Sequence, residues 1–207
     1  GITPLHNRGT LDAVLTYHLI SGTAVEAADI ATGSSSAATL NGNIYLSKGA
    51  AGVFINGSSK VSAADIQGSN GVVHVIDRTL LPPAKTIAQI VSEYANASSN
   101  KQFTKLLQAL QRTSGTGTDL LAAAGAAGNL TVFAPTDAAF EALGVDLATV
   151  DLTALTKILQ HHIVGARVFS PDLSTGSVAT LYKNVSINTT NLTVTGAKTG
   201  EAGAKLQ

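Results

Sequence analysis

The sequence of 207 residues contains no cysteine, and only 13% of its residues are charged. The absence of cysteine excludes disulfide bonds, thiolate metal sites and cysteine nucleophiles. The 13 basic and 13 acidic side chains balance, so the chain lacks the clustered positive charge that nucleic acids and anionic membranes require. No run of 18 apolar residues is present, so we expect no membrane span. The first ten residues do not form a signal peptide, and targeting information is expected to be processed away or to lie outside this sequence.

Signatures of catalysis are missing as well. The sequence has no G-x-S-x-G, H-E-x-x-H, acidic calcium-loop or G-x-G-x-x-G motif. The glycine-rich stretch 114–125 lacks the lysine of a phosphate loop and follows a helical pattern, so it is predicted to be a connection. We therefore expect a protein that is not an enzyme and has no cofactor and no metal site.

What the chain does contain is an internal repeat with a period of about 143 residues, the size of an ordinary domain. VLTYHLISGTAV at 14–25 matches ILQHHIVGARV at 158–168, AADIATG at 27–33 matches SPDLSTG at 170–176, and TLNGNIYLS at 39–47 matches TLYKNVSIN from residue 180. The shared polar and glycine positions are His18 and His162, Asp29 and Asp172, Gly33 and Gly176, and Asn43 and Asn184. The chain is therefore predicted to hold parts of two related domains.

The two copies are predicted to meet at the double proline Pro82-Pro83, where a strand pattern ends and an amphipathic helix pattern begins. Residues 1–83 would be the C-terminal part of a first domain, and residues 84–207 the N-terminal and middle part of a second. Both copies are thus expected to be incomplete, as in a fragment of a longer tandem array. Helix patterns come early in each copy and strand patterns late, which indicates an α+β fold.

Local signals place several elements. Thr136 and Asp151 are predicted helix N-caps, with Asp137 in a favourable first turn. Asn56-Gly57 predicts a hairpin turn. In the strand pattern GVVHVID, His74 is expected to face opposite to its two valine neighbours, either in solvent or buried with a partner. Asp77, just after this strand, is expected either to cap a turn or to lie near His74.

Three segments resemble the fasciclin domain family. NLTVFAPTDAAFEAL at 129–143 resembles its first conserved block, and NGVVHVIDRTLLPP at 70–83 resembles its second. Tyr17-His18 lies where the family carries a Tyr-His segment, and His161-His162 matches that segment in part in the second copy. The resemblance covers nearly the whole chain. It implies tandem domains, each a small β-sandwich flanked by α-helices, on secreted or surface-anchored proteins associated with cell adhesion and matrix attachment.

The resemblance also implies partner-binding positions. In animal members the Tyr-His region and an Asp-Ile segment before the second block are linked to integrin binding, and Asp65-Ile66 matches that segment. Ala63 and Ala64 stand where such segments carry an acidic residue and a proline, and a histidine replaces the tyrosine in the second copy. The candidate partner-binding residues are Tyr17, His18, Asp65, Ile66, His161 and His162.

The histidine pairs also have a structural interpretation. Successive helical residues point about 100° apart, so only one member of each pair can face the core. His162 follows Leu155 and Leu159 at helical spacing and is predicted to be a hydrogen-bonded core histidine. Adjacent helical histidines do not easily share a metal ion. A small-ligand or hydrolytic cleft near His161 and His162 is an alternative that requires a deep apolar pocket with converging polar groups.

The main functional hypothesis is a non-catalytic adhesion module, secreted or at the cell surface, that binds a protein, a matrix polysaccharide or itself. The alternative is a structural repeat that assembles into an extracellular fibre by strand exchange, because a sheet without its last strand exposes unpaired backbone groups. In that case GVVHVID would complete residues 84–207 in the same molecule or in a neighbour. Six N-x-S/T sequons favour an extracellular location, and the glycosylation candidates are Asn56, Asn96, Asn129, Asn184, Asn188 and Asn191.

Overall fold

The computed structural model describes residues 8–126, 128–144, 146–196 and 204–205. It divides into two compact units, one of residues 1–84 with 168–173 and one of residues 85–167 with 174–207. The first unit's long segment therefore ends next to the double proline. Each unit is described separately below.

In its described part, the first unit combines one α-helix and a short 3-10 helix (Ser170–Asp172) with an antiparallel sheet. Helix α1 (Arg8–Tyr17) precedes five strands that neighbour one another in chain order: β1 (Gly33–Thr39), β2 (Gly42–Gly49), β3 (Gly52–Ile55), β4 (Ser59–Gly68) and β5 (Gly71–Ile76). Asn56 and Gly57 have positive φ angles of 50° and 72° and connect β3 to β4, which confirms the predicted hairpin. The core of this unit consists of Tyr17, Ile30, Ile44, Leu46, Ile55 and Leu80.

The second unit carries helices first and strands later. Its helices are α2 (Ile87–Ala95), α3 (Thr104–Arg112), α4 (Leu120–Gly125), α5 (Asp137–Leu143) and α6 (Leu152–Gln160). Strand β6 (Thr131–Val132) pairs with β7 (Ile163–Val164), and β8 (Gly176–Ala179), β9 (Asn184–Asn188), β10 (Thr193–Thr195) and β11 (Ala204–Lys205) form a second antiparallel sheet. The mixture of helix and sheet confirms the α+β prediction.

Side chains cap several helices of the second unit, and one of them also joins two helices. The side chains of Thr136 and Asp151 accept hydrogen bonds from backbone N–H groups of the first turn, so both predicted N-caps are confirmed. Helix α3 lacks a side-chain cap of its own. The carboxylate of Asp137 fills that role, accepting from Lys105 N at 2.9 Å and from Thr104 Oγ1 at 2.8 Å. Asp137 therefore joins α5 to α3, in addition to its place in its own first turn.

The sequence repeat is also a structural repeat. Three hydrogen bonds occur in both copies. The Nδ1 atom of a histidine bonds the carbonyl of the residue four positions earlier, and the carbonyl of the residue after that histidine accepts the backbone N–H of a leucine. The side chain of an aspartate accepts the backbone N–H of the residue three positions before it. The histidine bonds are His18–Val14 at 2.7 Å and His162–Ile158 at 2.8 Å. The leucine bonds are Leu40–Leu19 at 2.9 Å and Leu181–Ile163 at 2.8 Å. The aspartate bonds are Asp29–Glu26 at 2.9 Å and Asp172–Phe169 at 3.1 Å. Equivalent positions in the two copies can therefore be compared residue by residue.

Strand β5 lies at an edge of the first sheet and, among the residues that the structure describes, pairs only with β4. The hypothesis that GVVHVID completes residues 84–207 within the same molecule is therefore wrong. The physical reason is local: β4 and β5 are joined by a two-residue turn, so closing this hairpin costs little chain entropy. Strand exchange between neighbouring molecules stays a prediction.

Candidate functional site

Tyr17 lies at the end of α1 and is 1% exposed. Its hydroxyl donates to the carbonyl of Asn43 at 2.9 Å and accepts from Nδ2 of Asn56 at 3.0 Å. The Asn56 Oδ1 in turn accepts the backbone N–H of Tyr45 at 3.0 Å. Tyr17 thus connects α1 to β2 and to the β3–β4 turn, and the folded unit leaves it no surface for a partner to contact.

His18, the next residue, is exposed, but both ring nitrogens are already used. Its Nε2 accepts the backbone N–H of Leu80 at 3.0 Å, so the proton of the neutral ring sits on Nδ1 and is donated to the Val14 carbonyl at 2.7 Å. His18 therefore holds the segment after β5 against the end of α1. Only the carbon atoms of the imidazole ring are left for a partner to contact.

Asp65 lies at an irregularity of β4. The β4–β5 register shifts between Ala63 and Ile66, and Asp65 has a left-handed φ of 58°, which aspartate tolerates better than most residues. Its Oδ1 accepts the backbone N–H of Ala27 at 2.8 Å, so the carboxylate anchors the loop that follows α1. The bulge re-aims the strand, and Ile66 after it points into solvent.

Around Ile66 the hairpin presents an apolar surface. Ile66 pairs with Val73 and Ala63 pairs with Val75, which places the four side chains on one side of the hairpin. Ile66, Val73 and Val75 are 48%, 57% and 43% exposed, and Ala63 is exposed as well. We call these four residues the hairpin face. Of the candidates named from the sequence, only Ile66 belongs to it.

His74 points away from the hairpin face, as its alternation with the two valines predicts. It is half-buried, and its Nε2 lies 2.7 Å from the carbonyl of Val25. Of the two alternatives for His74, the one with a hydrogen-bond partner is therefore confirmed, and Val73 and Val75 face the solvent. Asp77 caps the end of the hairpin by accepting the N–H of Lys60 at 2.7 Å. The sequence carried no signal for the exposed valines, because the bulge at Asp65 and the contact of His74 with Val25 decide which side of the hairpin faces outward.

In the second unit the ring of His162 is hydrogen-bonded, as predicted, and it is half-buried beside the apolar core. Burial lowers its pKa, and the bond from its ring to the Ile158 carbonyl opposes that shift only in part. It borders a small cavity whose other lining side chains are all apolar, among them Val91, Leu106 and Leu159. One imidazole does not supply the converging polar groups that a small-ligand cleft requires.

His161 occupies the position that Tyr17 has in the first copy. Its Nδ1 is buried and has no hydrogen-bond partner among the described residues, and its ring lies edge-on to Tyr182 with 6.4 Å between ring centroids. The change from tyrosine to histidine therefore removes the hydroxyl that joins helix to sheet in the first copy. Within the described ranges no three His, Asp or Glu side chains are grouped so that they could hold a metal ion.

The sequons differ in their surroundings. Nδ2 of Asn56, the atom that a glycan would modify, donates to the Tyr17 hydroxyl. Asn188 is half-buried, and the other four asparagines are exposed: Asn96, Asn129, Asn184 and Asn191. Glycosylation at any of the six stays a prediction. Among the described helices, none has the length and apolar character needed to cross a membrane.

Comparison with known proteins gives several relatives. Stabilin-2 of Rattus norvegicus is 32% identical over 145 residues, which are 66% of this chain and 10% of that protein. Periostin of Homo sapiens is 29% identical over 168 residues, or 81% of this chain and 18% of that protein. The chain thus spans less than a fifth of the length of either relative. The match to the solved domain pair of the insect cell adhesion molecule fasciclin I covers 88% of this chain and 68% of that chain, at 18% identity and a TM-score of 0.41.

One family model matches two segments of the chain. The model described as "Fasciclin domain" matches residues 3–82 and 101–204, two segments that together cover most of the sequence. The resemblance seen in the sequence blocks is thereby confirmed, and the chain belongs to the fasciclin domain family.

Proposed function

We propose that this chain is a non-catalytic binding module for cell adhesion or matrix attachment, secreted or at the cell surface, and that the hairpin face contacts its partner. Membership of the fasciclin family supports adhesion, because that family is associated with attachment to cells and matrix. The position of the binding surface is supported by the geometry of the first unit alone.

The observation that carries the proposal is the exposure of Ile66, Val73 and Val75 on one side of a hairpin. Single exposed apolar residues are common, but a contiguous row at a sheet edge is typical of an interaction surface. Gln67 and His74 alternate with this row and bond Glu26 and Val25 instead, so the row itself carries only aliphatic side chains. An aliphatic surface of this kind resembles the apolar centre of protein interfaces. A protein is therefore the partner class we favour over a polysaccharide.

The test is a binding panel with the purified chain against cells, matrix proteins, polysaccharides and the chain itself, measured by surface plasmon resonance. The double variant Ile66→Ser/Val73→Ser should bind the partner at least about tenfold more weakly, since centrally placed apolar contacts dominate interface energies. Leu40→Ser is the matched control, because Leu40 belongs to the same unit, is 58% exposed and lies outside the hairpin face.

Two results would contradict the proposal. One is the absence of binding to every member of the panel at high micromolar concentration. The other is a double variant that keeps the affinity of the parent chain. Circular dichroism of all variants must show unchanged secondary structure, so that a loss of binding is not a loss of fold.

A further inference from the structure

Two lysines and a tyrosine meet in the second unit where helix α6 contacts the turn between β8 and β9. Lys157 belongs to α6, and Tyr182 and Lys183 belong to the turn. The ammonium groups of Lys157 and Lys183 lie 5.9 and 5.4 Å from the centroid of the Tyr182 ring, within the range of a cation–π contact. All three residues are exposed. We call them the Tyr182 corner.

The tyrosine ring of the corner has a defined position. The ring of His161, directly after α6, lies edge-on to it with 6.4 Å between ring centroids. Thr180 closes the turn, because its hydroxyl bonds the Lys183 carbonyl and accepts the backbone N–H groups of Tyr182 and Lys183 at 3.3 and 3.2 Å. The turn and His161 therefore hold a ring of which 43% of the residue surface stays exposed.

Neither lysine of the corner forms an ion pair with another described residue. The ion pairs found in the described part of this unit are Lys85–Glu93 and Lys105–Glu141. The helical neighbours three and four positions from Lys157 are not acidic either: Thr153, Ala154, Gln160 and His161. Two like charges near one ring repel each other, so an anion bound at the corner would be attracted by both.

The first copy shows that the fold does not need these three residues. The hydrogen bonds shared by the copies align the Tyr182 corner with Ala13, Asn41 and Gly42. Thr39 closes the same turn there with a bond to the Gly42 carbonyl at 2.6 Å, and Nδ2 of Asn41 donates to the Ala13 carbonyl at 2.8 Å. The same positions therefore meet in the first copy without any charge, so the lysines and the tyrosine require an explanation other than folding.

We infer that the Tyr182 corner binds an acidic polysaccharide, with a uronate carboxylate at the two ammonium groups and the C–H face of a sugar ring against the exposed part of the tyrosine. Lysine is depleted in protein interfaces, and the corner has no aliphatic centre like that of the hairpin face. Phosphate groups are recognised best by the planar fork of arginine, whereas lysine supplies a compact point charge. This inference goes beyond the proposed function, because it assigns a second surface, in the other unit, to a different class of partner.

The test measures binding of polygalacturonate, a polymer of uronate sugars, to the full chain by isothermal titration calorimetry at low ionic strength. The triple variant Lys157→Ala/Tyr182→Asn/Lys183→Gly gives the second copy the residues of the first. It should fold, because the first copy forms the same turn with those residues. It should bind polygalacturonate at least about tenfold more weakly than the parent chain, since two charge contacts and a ring contact are lost.

The matched control removes two lysines elsewhere in the same unit. Lys85→Ala/Lys105→Ala changes the net charge by the same amount and leaves the corner intact, so its affinity should stay within about twofold of the parent. The variant Ile66→Ser/Val73→Ser should bind polygalacturonate as the parent does. Failure of this inference can therefore be distinguished from failure of the proposed hairpin site.

The inference is overturned if the parent chain does not bind polygalacturonate, or if it binds dextran, an uncharged polysaccharide, equally well. It is also overturned if the triple variant keeps the affinity of the parent, or if the lysine control loses as much affinity as the triple variant. Tighter binding of poly-glutamate than of polygalacturonate would assign the corner to an acidic protein segment instead. If circular dichroism shows that the triple variant is unfolded, Lys157→Gln/Lys183→Gln removes only the two exposed charges, and its affinity decides in the same way.

Discussion

Replacing Tyr17 with phenylalanine tests whether this residue belongs to the fold rather than to the binding surface. The change keeps the ring that packs in the core and removes only the hydroxyl. That hydroxyl makes two hydrogen bonds, to the Asn43 carbonyl and from the Asn56 amide. The experiment therefore isolates the polar connection between α1 and the sheet.

The expected cost follows from the number of bonds and from their exposure. A hydrogen bond contributes about 1 kcal/mol net, so losing two costs about 2 kcal/mol. Asn43 is exposed and Asn56 is half-buried, so water can reach the freed groups and no large desolvation term is added. A change of about 2 kcal/mol multiplies the unfolded fraction of the first unit by roughly thirty.

Native-state hydrogen exchange of the β2 amides measures this change without interference from the second unit. Tyr94→Phe is the matched control, because Tyr94 is 49% exposed and contacts Phe103 through its ring. It should change stability by less than about 0.5 kcal/mol. If β2 of Tyr17→Phe exchanged no faster than β2 of the parent chain, our account of Tyr17 would be refuted. Loss of partner binding at unchanged stability would refute it in a different way, by showing that Tyr17 is a contact residue.

Two further predictions concern the second unit. Asp137→Asn should destabilise it by about 1 kcal/mol at neutral pH, as for the loss of a helix cap. Burial raises the pKa of Asp137, but its bonds from Lys105 and Thr104 outweigh burial and hold the pKa below 3.8, so the stabilisation is lost as pH falls through the folded-state pKa. Urea midpoints of parent and variant should therefore converge in acid, and a constant difference would contradict this. Burial lowers the pKa of His162 below 6.5, so the unfolded chain binds the proton more readily and stability should fall as pH drops below that value. His162→Gln should show a smaller loss in urea titrations between about pH 7.5 and about pH 5.5, with His161→Gln as the control; an unchanged pH dependence would show that His162 does not cause it.

Local features of this fold could be predicted from the sequence. The caps at Thr136 and Asp151 and the Asn56-Gly57 turn depend on one or two residues and their immediate neighbours, so their chemistry is visible in the sequence. The repeat is visible because matching residues recur in the same order in both copies. Period-two alternation correctly placed His74 opposite its valine neighbours.

Features that depend on distant contacts could not be predicted. Asp137 caps a helix that begins 33 residues earlier in the chain, which no local pattern indicates. Alternation separates the two sides of β5 but does not say which one is buried; the bulge at Asp65 and the bond from His74 to Val25 decide that. Leu11, Leu15 and Leu19 have the spacing of a core helix, and only the structure shows that nothing among the described residues buries them.

The central claim is that partners bind the hairpin face, and the most direct measurement is a hydrogen-exchange footprint of the chain with and without its bound partner. Our account predicts that added protection is concentrated in residues 61–76, which contain all four residues of the hairpin face. Protection elsewhere, with β4 and β5 exchanging as they do in the free chain, would contradict it.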